Sequence, residues 1–278
     1  SSAASDVYKR QAYVTEDEFA KYAGIHNLNE DVIRSSYDAV FHLVTSADGA
    51  EEYYGKETNI FRREESLEKA REVDTDVMAV WTGTPHLRII DNSTDFDTKL
   101  KRLLKEVVAF LGIPKPLEIE RKFLIEYPDL EFLNSIKTCR RIPITQAYLT
   151  TPEEGYFRIR KRGEGDKAVY IKTVKIKISD IKRIEIENYI SKEQYDSYLA
   201  QRQYVTGVIS KDRYCIVDNN TYYELDVYPF WNDRATIEIE LLSEDQRYQL
   251  PKFVKLIREV SSEPDYRNLA LAQKYGKP

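Results

Sequence analysis

Seven short segments in the second half of the chain place two or three ionisable side chains at alternate positions. In LEIERKF, Glu118, Glu120 and Lys122 share one side of an extended backbone, and Leu117, Ile119 and Phe123 share the other. Arg158, Arg160 and Arg162 align in YFRIRKR, Lys175 and Lys177 in TVKIK, and Arg183, Glu185 and Glu187 in RIEIE. Lys211 aligns with Arg213, Glu224 with Asp226, and Glu238 with Glu240. Clustered carboxylates suit hard divalent cations such as Mg2+ or Mn2+. Clustered arginines and lysines suit phosphate, which arginine can grip with two parallel bonds. Acids and bases brought to one face would make a site for a polyphosphate with its metal ions.

The elements that must position these residues follow from the same alternation. The period-two runs are LEIERKFLI, QAYL, YFRIRKR, VYIKTVKIKI, IKRIEIENYI, KDRYCIV, YYELDVY and ATIEIELL, which predict eight mostly antiparallel strands. Two stretches, KEQYDSYLAQRQ and YQLPKFVKLIREVSS, read as helices. A sheet with one face in water also alternates, but it usually mixes threonine, serine and glutamine with its charges. Here the polar positions are almost wholly Glu, Asp, Arg and Lys. The reading adopted is a closed barrel, charged inside and apolar outside, with helices covering it. Its lumen would hold nine bases (Lys122, Arg158, Arg160, Arg162, Lys175, Lys177, Arg183, Lys211, Arg213) and eight acids (Glu118, Glu120, Glu185, Glu187, Glu224, Asp226, Glu238, Glu240). Unpaired buried charge is costly, so such a lumen requires internal pairing, water and ions.

The first half has a different grammar. YDAVFHLVT and HLRIIDN predict buried strands, with the charged helical stretch RREESLEKAREVDTDVMAVW between them. DFDTKLKRLLKEVVAFLG predicts a helix with Leu100, Leu103, Leu104, Val107, Val108 and Leu111 at three- and four-residue steps, Asp95 as N-cap and Gly112 as stop. Alternating strands and helices indicate a parallel α/β sheet. GIPKP marks a linker at residues 113–116. The chain is therefore expected to be α+β overall, an α/β piece at 12–112 followed by the barrel at 117–278.

The chain has 278 residues, 42% hydrophobic and 32% charged, with a net charge of −5. That is room for two ordinary domains. Interspersed charge with an acidic balance argues against a general nucleic-acid binder. Two cysteines, Cys139 and Cys215, in so long a chain suggest a reducing, cytoplasmic setting. No apolar run reaches the length of about 18 residues that a membrane-crossing helix needs. Ser1 to Gln11, SSAASDVYKRQ, shows no apolar periodicity. It resembles a transposon-type sequencing adapter translated in frame and is set aside from the fold. The natural protein is therefore expected to extend upstream of Ala12.

Glu118-Ile-Glu120-Arg-Lys122 resembles the ExExK signature of the CYTH domains, the triphosphate tunnel metalloenzymes. Arg158 and Arg160, Thr173 and Lys175, the Arg183/Glu185/Glu187 run, Lys211 and Arg213, and Glu238 and Glu240 fall in that family's order. The resemblance runs from about Leu117 to Pro278. It implies that Glu118, Glu120, Glu238 and Glu240 hold one or two Mg2+ or Mn2+ ions. It implies that Lys122, Arg158, Arg160, Lys175, Arg183, Lys211 and Arg213 grip a triphosphate, with Glu118, Glu120 and Lys122 at the catalytic centre. Glu185, Glu187, Glu224 and Asp226 either contact metal or water or balance the lumen arginines. The implied activity is hydrolysis of tripolyphosphate or an organic triphosphate.

The stretch from Ala12 to Gly112 resembles the C-terminal half of a P-loop NTPase, of the type in nicotinamide-nucleotide regulator kinases and the insect TRP-like channel translocation-defect protein. That second type joins such a domain to a CYTH-like barrel. The resemblance implies that Arg62 and Arg63 lie on a nucleotide lid, and that His86 and Asn92 edge the base site. No G-x-x-x-x-G-K-[ST] loop occurs in the chain, so the phosphate cradle of that family is missing here. The first half is expected to be a truncated NTPase that binds ATP or GTP only in the longer natural protein. Truncation would leave unpaired sheet edges and exposed apolar surface. The alternative function is non-catalytic: a regulator that binds GTP or ATP and an acidic phospholipid such as phosphatidic acid, peripheral at membranes and acting in membrane protein trafficking.

Overall fold

A computed structural model describes residues 14, 16–25, 33–34, 36–55, 66–84, 86–112, 117–151, 155–165, 168–179, 181–201, 205–241 and 243–276. The first part contains α1 (Glu16–Ile25), β1 (Val40–Leu43), α2 (Leu67–Trp81), β2 (Leu87–Ile90) and α3 (Phe96–Phe110). β1 and β2 pair in parallel, Val40 opposite Leu87 and Leu43 opposite Ile90. Ser66 caps α2 through the Lys69 amide, and Asp95 caps α3 through the Thr98 amide. Gly112 follows α3 at φ +70°, the left-handed turn that glycine adopts at a helix end without steric cost. α2 buries Ala70, Val77, Met78 and Trp81. Val77, Met78 and Trp81 pack against Val44 and Leu87.

The α3 boundaries agree with the sequence, but only part of its apolar stripe turns inward, with Leu103 and Val107 half-buried. Phe96, Leu100, Leu104, Val108 and Leu111 are exposed, whereas Lys99 and Glu106 are buried. The inward face mixes Phe110, which packs on Phe41, with polar side chains that meet polar partners. The ammonium of Lys99 donates to the Val44 carbonyl at 2.8 Å, and Glu106 faces Arg88.

The second part contains β3 (Leu117–Glu126), α4 (Leu130–Ser135), β4 (Cys139–Thr151), β5 (Gly155–Arg162), β6 (Val169–Lys177), β7 (Lys182–Ile190), α5 (Lys192–Ala200), β8 (Val205–Asp218), β9 (Thr221–Val227), β10 (Arg234–Leu241), β11 (Leu256–Glu259) and α6 (Asn268–Tyr275). The strands form a nine-stranded antiparallel sheet in the order β10-β9-β8-β4-β5-β6-β7-β3-β11, with a further pairing of β10 to β3. β3 holds β10 along residues 119–126, β7 along 117–119 and β11 along 123–125. Phe123, Ile125, Ile216, Leu225, Ile237 and Ile239 form the apolar core on one face. α5 covers a second apolar patch, Leu149, Phe157 and Ile159, with Tyr195, and Ser191 and Gln194 form a capping box at its start. α6 lies so close to β8 that a Cβ on Gly207 would meet the Ala272 carbonyl oxygen at 2.4 Å.

One sequence expectation fails here. YQLPKFVKLIREVSS is not a helix; it carries β11, with Leu256 opposite Ile125 and Glu259 opposite Phe123. Pro251 cannot donate to a helix ladder. β3 also runs past the end of its pairing with β7, and β11 fills that edge. Eight strands were expected, and β11 is the ninth.

The two parts meet. Val217 from β8 and Tyr222 from β9 join the cluster of Val44, Met78, Trp81 and Leu87. The guanidinium of Arg162 donates to the Gly83 carbonyl. Gly83 sits at φ +91°, and a Cβ there would lie 2.8 Å from Arg140 Cδ, so both its backbone and its neighbour favour glycine.

Candidate active site

The charged faces of the strands surround one cavity of about 790 Å3. Cross-strand register brings the acids and bases together. Glu240 lies opposite Glu120, and Glu238 opposite both Lys122 and Glu224. Arg213 lies opposite Asp226. Thr173 lies opposite both Arg158 and Glu187.

On the β8–β9–β10–β3 side the charges interlock. Arg213 donates from Nε to Asp226 Oδ1 and from Nη2 to Asp226 Oδ2, each at 2.7 Å, and from Nη2 to Glu238 Oε2 at 3.0 Å. Its Nη1 donates to Glu224. Lys122 Nζ lies 2.8 Å from Glu238 Oε1. Lys211 donates to Asp226. Burial alone would drive these groups neutral. The opposite charges win for most of them. Glu238 is held well below the usual carboxylate range because Lys122 and Arg213 outweigh its desolvation. Asp226 is lowered against its burial by Arg213 and Lys211. Lys122 is raised, its desolvation overcome chiefly by Glu238. Lys211 goes the other way: burial, reinforced by Arg213, pushes it down to about 7 despite Asp226.

On the β5–β6–β7 side, Arg158 Nη2 donates to Thr173 Oγ1 at 3.1 Å and to Glu187 Oε1 at 3.2 Å. Arg160 and Lys175 line the cavity beside them. Glu187 is held well below its ordinary range; its burial is outweighed by His86, Arg160 and Arg158.

Most of the expected site residues converge. Glu120, Lys122, Arg158, Arg160, Lys175, Glu187, Arg213, Glu224, Glu238 and Glu240 all line the cavity. Asp226 and Lys211 sit behind the wall, 0% and 3% exposed, where each balances its neighbours. Glu118 is in register with Arg183, and Lys175 with Glu185; the side chains of Glu118, Lys177, Arg183 and Glu185 lie outside the described set. Arg62, Arg63 and the linker at 113–116 lie outside the described residues. His86 stands on the tunnel cavity rather than apart from it. Asn92 ties a loop, donating to the Thr45 carbonyl at 2.7 Å and the Asp48 carbonyl at 2.6 Å while accepting from Lys99.

Sequence reasoning missed Tyr148, Tyr156 and Arg88, which also line the cavity. The Tyr148 and Tyr156 rings stack with centroids 6.2 Å apart. Tyr148 could have been found, since it shares strand parity with Gln146 opposite Arg160. Arg88 could not, because its place depends on how the two parts dock.

The donor set around Glu120, Glu238 and Glu240 is all oxygen, which fits a hard divalent cation. As the side chains stand, Glu238 is taken by Lys122 and Arg213, and Glu240 by Arg88. Among the described residues, no group of three or more acidic, histidine or cysteine side chains converges as a metal cluster.

The model of the CYTH domain matches residues 116–275. The chain belongs to the CYTH family. The family includes triphosphatases, and its enzymes are generally dependent on divalent metal. The residues before 116 carry no family assignment. Among solved structures, the chain is similar to an inorganic triphosphatase at 29% identity, covering 58% of this chain and 97% of that one, with a TM-score of 0.38. It is also similar to a Hippeastrum protein named for adenylyl cyclase and described as having a dominant triphosphatase activity, at 18% identity, covering 45% and 79%, TM-score 0.34. A protein from Pyrococcus horikoshii is 22% identical, covering 44% and 77%, TM-score 0.32. None of the curated proteins compared matches the chain. No helix among the described residues is long and apolar enough to cross a membrane.

Proposed function

We propose that this CYTH chain binds a triphosphate in the cavity and hydrolyses it with the help of Mg2+ or Mn2+. The observation that carries the reading is the gathering of Arg158, Arg160, Lys175 and Arg213 with Glu120, Glu224, Glu238 and Glu240 around one cavity. We take residues 117–278 as the tunnel domain and 12–112 as a separate α/β domain, joined at 113–116. The tunnel is read as closed, a reading supported by the pairing of β10 with β3 as well as with β9.

Arg158, Arg160, Lys175 and Arg213 would grip the phosphate oxygens, with Lys122 and Arg183 completing the basic set and Lys211 supporting it from behind the wall through Asp226. Glu118, Glu120, Glu238 and Glu240 would hold the metal. A bound Mg2+ or Mn2+ supplies Lewis-acid polarisation of the phosphoryl group being transferred. The chain's own contribution is preorganisation. Arg213 is fixed by Asp226 and Glu238, and Arg158 by Thr173 and Glu187, so their charge needs no reorientation when the substrate arrives. Glu185, Glu187, Glu224 and Asp226 remain candidates for water activation or charge balance, and the contacts of Glu187 and Asp226 favour balance.

Calorimetric titration of tripolyphosphate into the full chain tests the binding half. Arg158→Ala should weaken binding about tenfold or more, since a charge-assisted arginine–phosphate contact is lost. Equal affinity for tripolyphosphate and orthophosphate would argue against a triphosphate site.

A further inference from the structure

One end of the cavity is walled by the α/β part rather than by the tunnel strands: His86, Arg88, Lys105, Glu106 and Phe110 all line it. Arg88 lies at the centre of this contact. Its Nη2 donates to Glu240 of β10, and its Nε lies 3.4 Å from Glu106 Oε2 of α3. Its side chain is 18% exposed. Across the same seam Arg162 donates to the Gly83 carbonyl, and His86 Nε2 lies 3.8 Å from Glu187 Oε2.

We propose that Arg88 is a positioning residue of the tunnel site, which holds Glu240 against the α/β part and competes with the divalent cation for it. The proposal rests on the metal reading of the tunnel given above. Glu240 stands directly opposite Glu120 across β3 and β10. Two facing carboxylates repel unless a cation stands with them, and the guanidinium of Arg88 now supplies that charge. A metal ion drawing on Glu240 must displace Arg88 or share its carboxylate. Guanidinium and metal are both positive, so sharing is opposed by their mutual repulsion. Metal occupancy and closure of the seam therefore oppose each other. By linkage the effect is reciprocal: whatever tightens the seam weakens the metal, and the metal loosens the seam.

The test is calorimetric titration of Mn2+ into the full chain, comparing wild type with Arg88→Gln and Arg88→Lys. Arg88→Gln should bind Mn2+ about tenfold more tightly, a coupling of ordinary size, and Arg88→Lys should stay near wild type because it keeps the charge. Equal or weaker Mn2+ affinity in Arg88→Gln, with wild type binding normally, would overturn the proposal alone. Absence of Mn2+ binding in both proteins would overturn the metal reading and the proposal with it. Hydrogen exchange on the wild-type chain gives a second readout that needs no variant to fold. Mn2+ should speed exchange of the β2 amides, and unchanged exchange with Mn2+ bound would contradict the competition.

Discussion

The tunnel and the α/β part handle charge in opposite ways. In the tunnel, acids and bases from different strands are buried together, and Arg213, Asp226 and Glu238 are each held by more than one partner. Asp226 is 0% exposed and takes three donated bonds from Arg213 and Lys211. In the α/β part most described ion pairs are single contacts at the surface, such as Arg102 with Asp91 at 2.7 Å, or Arg71 with Glu51. Exposed pairs of that kind contribute little, because water and salt screen them and long side chains lose freedom. A buried network adds little net stability as a whole, yet is costly to break in part. The comparison teaches where buried charges are paired with one another: the tunnel sets acids against bases across its strands, whereas buried Lys99 of the α/β part is held by the Val44 carbonyl and the Asn92 side chain. Glu106 is the exception, a buried α/β carboxylate at the seam between the parts.

The largest expected effect comes from breaking the dry network. Asp226→Asn should destabilise the folded chain by about 3–5 kcal/mol, since it leaves Arg213 and Lys211 short of their shared counter-charge. Urea unfolding measures this, and a loss below about 1 kcal/mol would erase the contrast between the regions.

Glu106 sharpens the comparison through pH. Its burial, only partly offset by Arg88, raises its carboxyl from 4.5 to about 7. Between those values the unfolded chain releases this proton while the folded chain keeps it. Its contribution to stability is therefore lost as pH rises through that window, by on the order of 3 kcal/mol, and is level above about 7. Glu106→Gln should flatten that slope. A wild-type unfolding profile that matches the variant across this range would contradict the assigned burial.

The smallest effect belongs to the surface. Arg102→Ala should cost less than about 1 kcal/mol, because the Arg102–Asp91 pair is partly solvated. A larger loss would place a structural network in the α/β part as well.

These contrasts were partly legible in the sequence. Alternation in LEIERKF showed that Glu120 and Lys122 share a face opposite Ile119 and Phe123, because strand periodicity is local. The Asp95 cap and Gly112 stop of α3 were legible for the same reason. What alternation cannot supply is register: that Glu240 meets Glu120 while Glu238 meets Lys122 depends on how β3 and β10 slide past each other. Nor could it separate the wall from what lies behind it, so Lys211 read as a cavity base although Asp226 holds it below the surface. In residues 256–259 a helix-like pattern gave way to the unfilled edge of β3, a long-range demand. The buried Lys99 and Glu106 of α3 and the reach of Arg88 depend on long-range packing, and no local pattern encodes that.

The most direct test of the central claim is turnover. Phosphate release from tripolyphosphate, ATP and GTP would be followed with the full chain in Mg2+ and in Mn2+, beside Glu120→Gln. The account predicts metal-dependent release of phosphate from at least one triphosphate, reduced on the order of 100-fold by the substitution, which removes a charged ligand. A folded chain that releases no phosphate, or release that Glu120→Gln leaves unchanged, would contradict it.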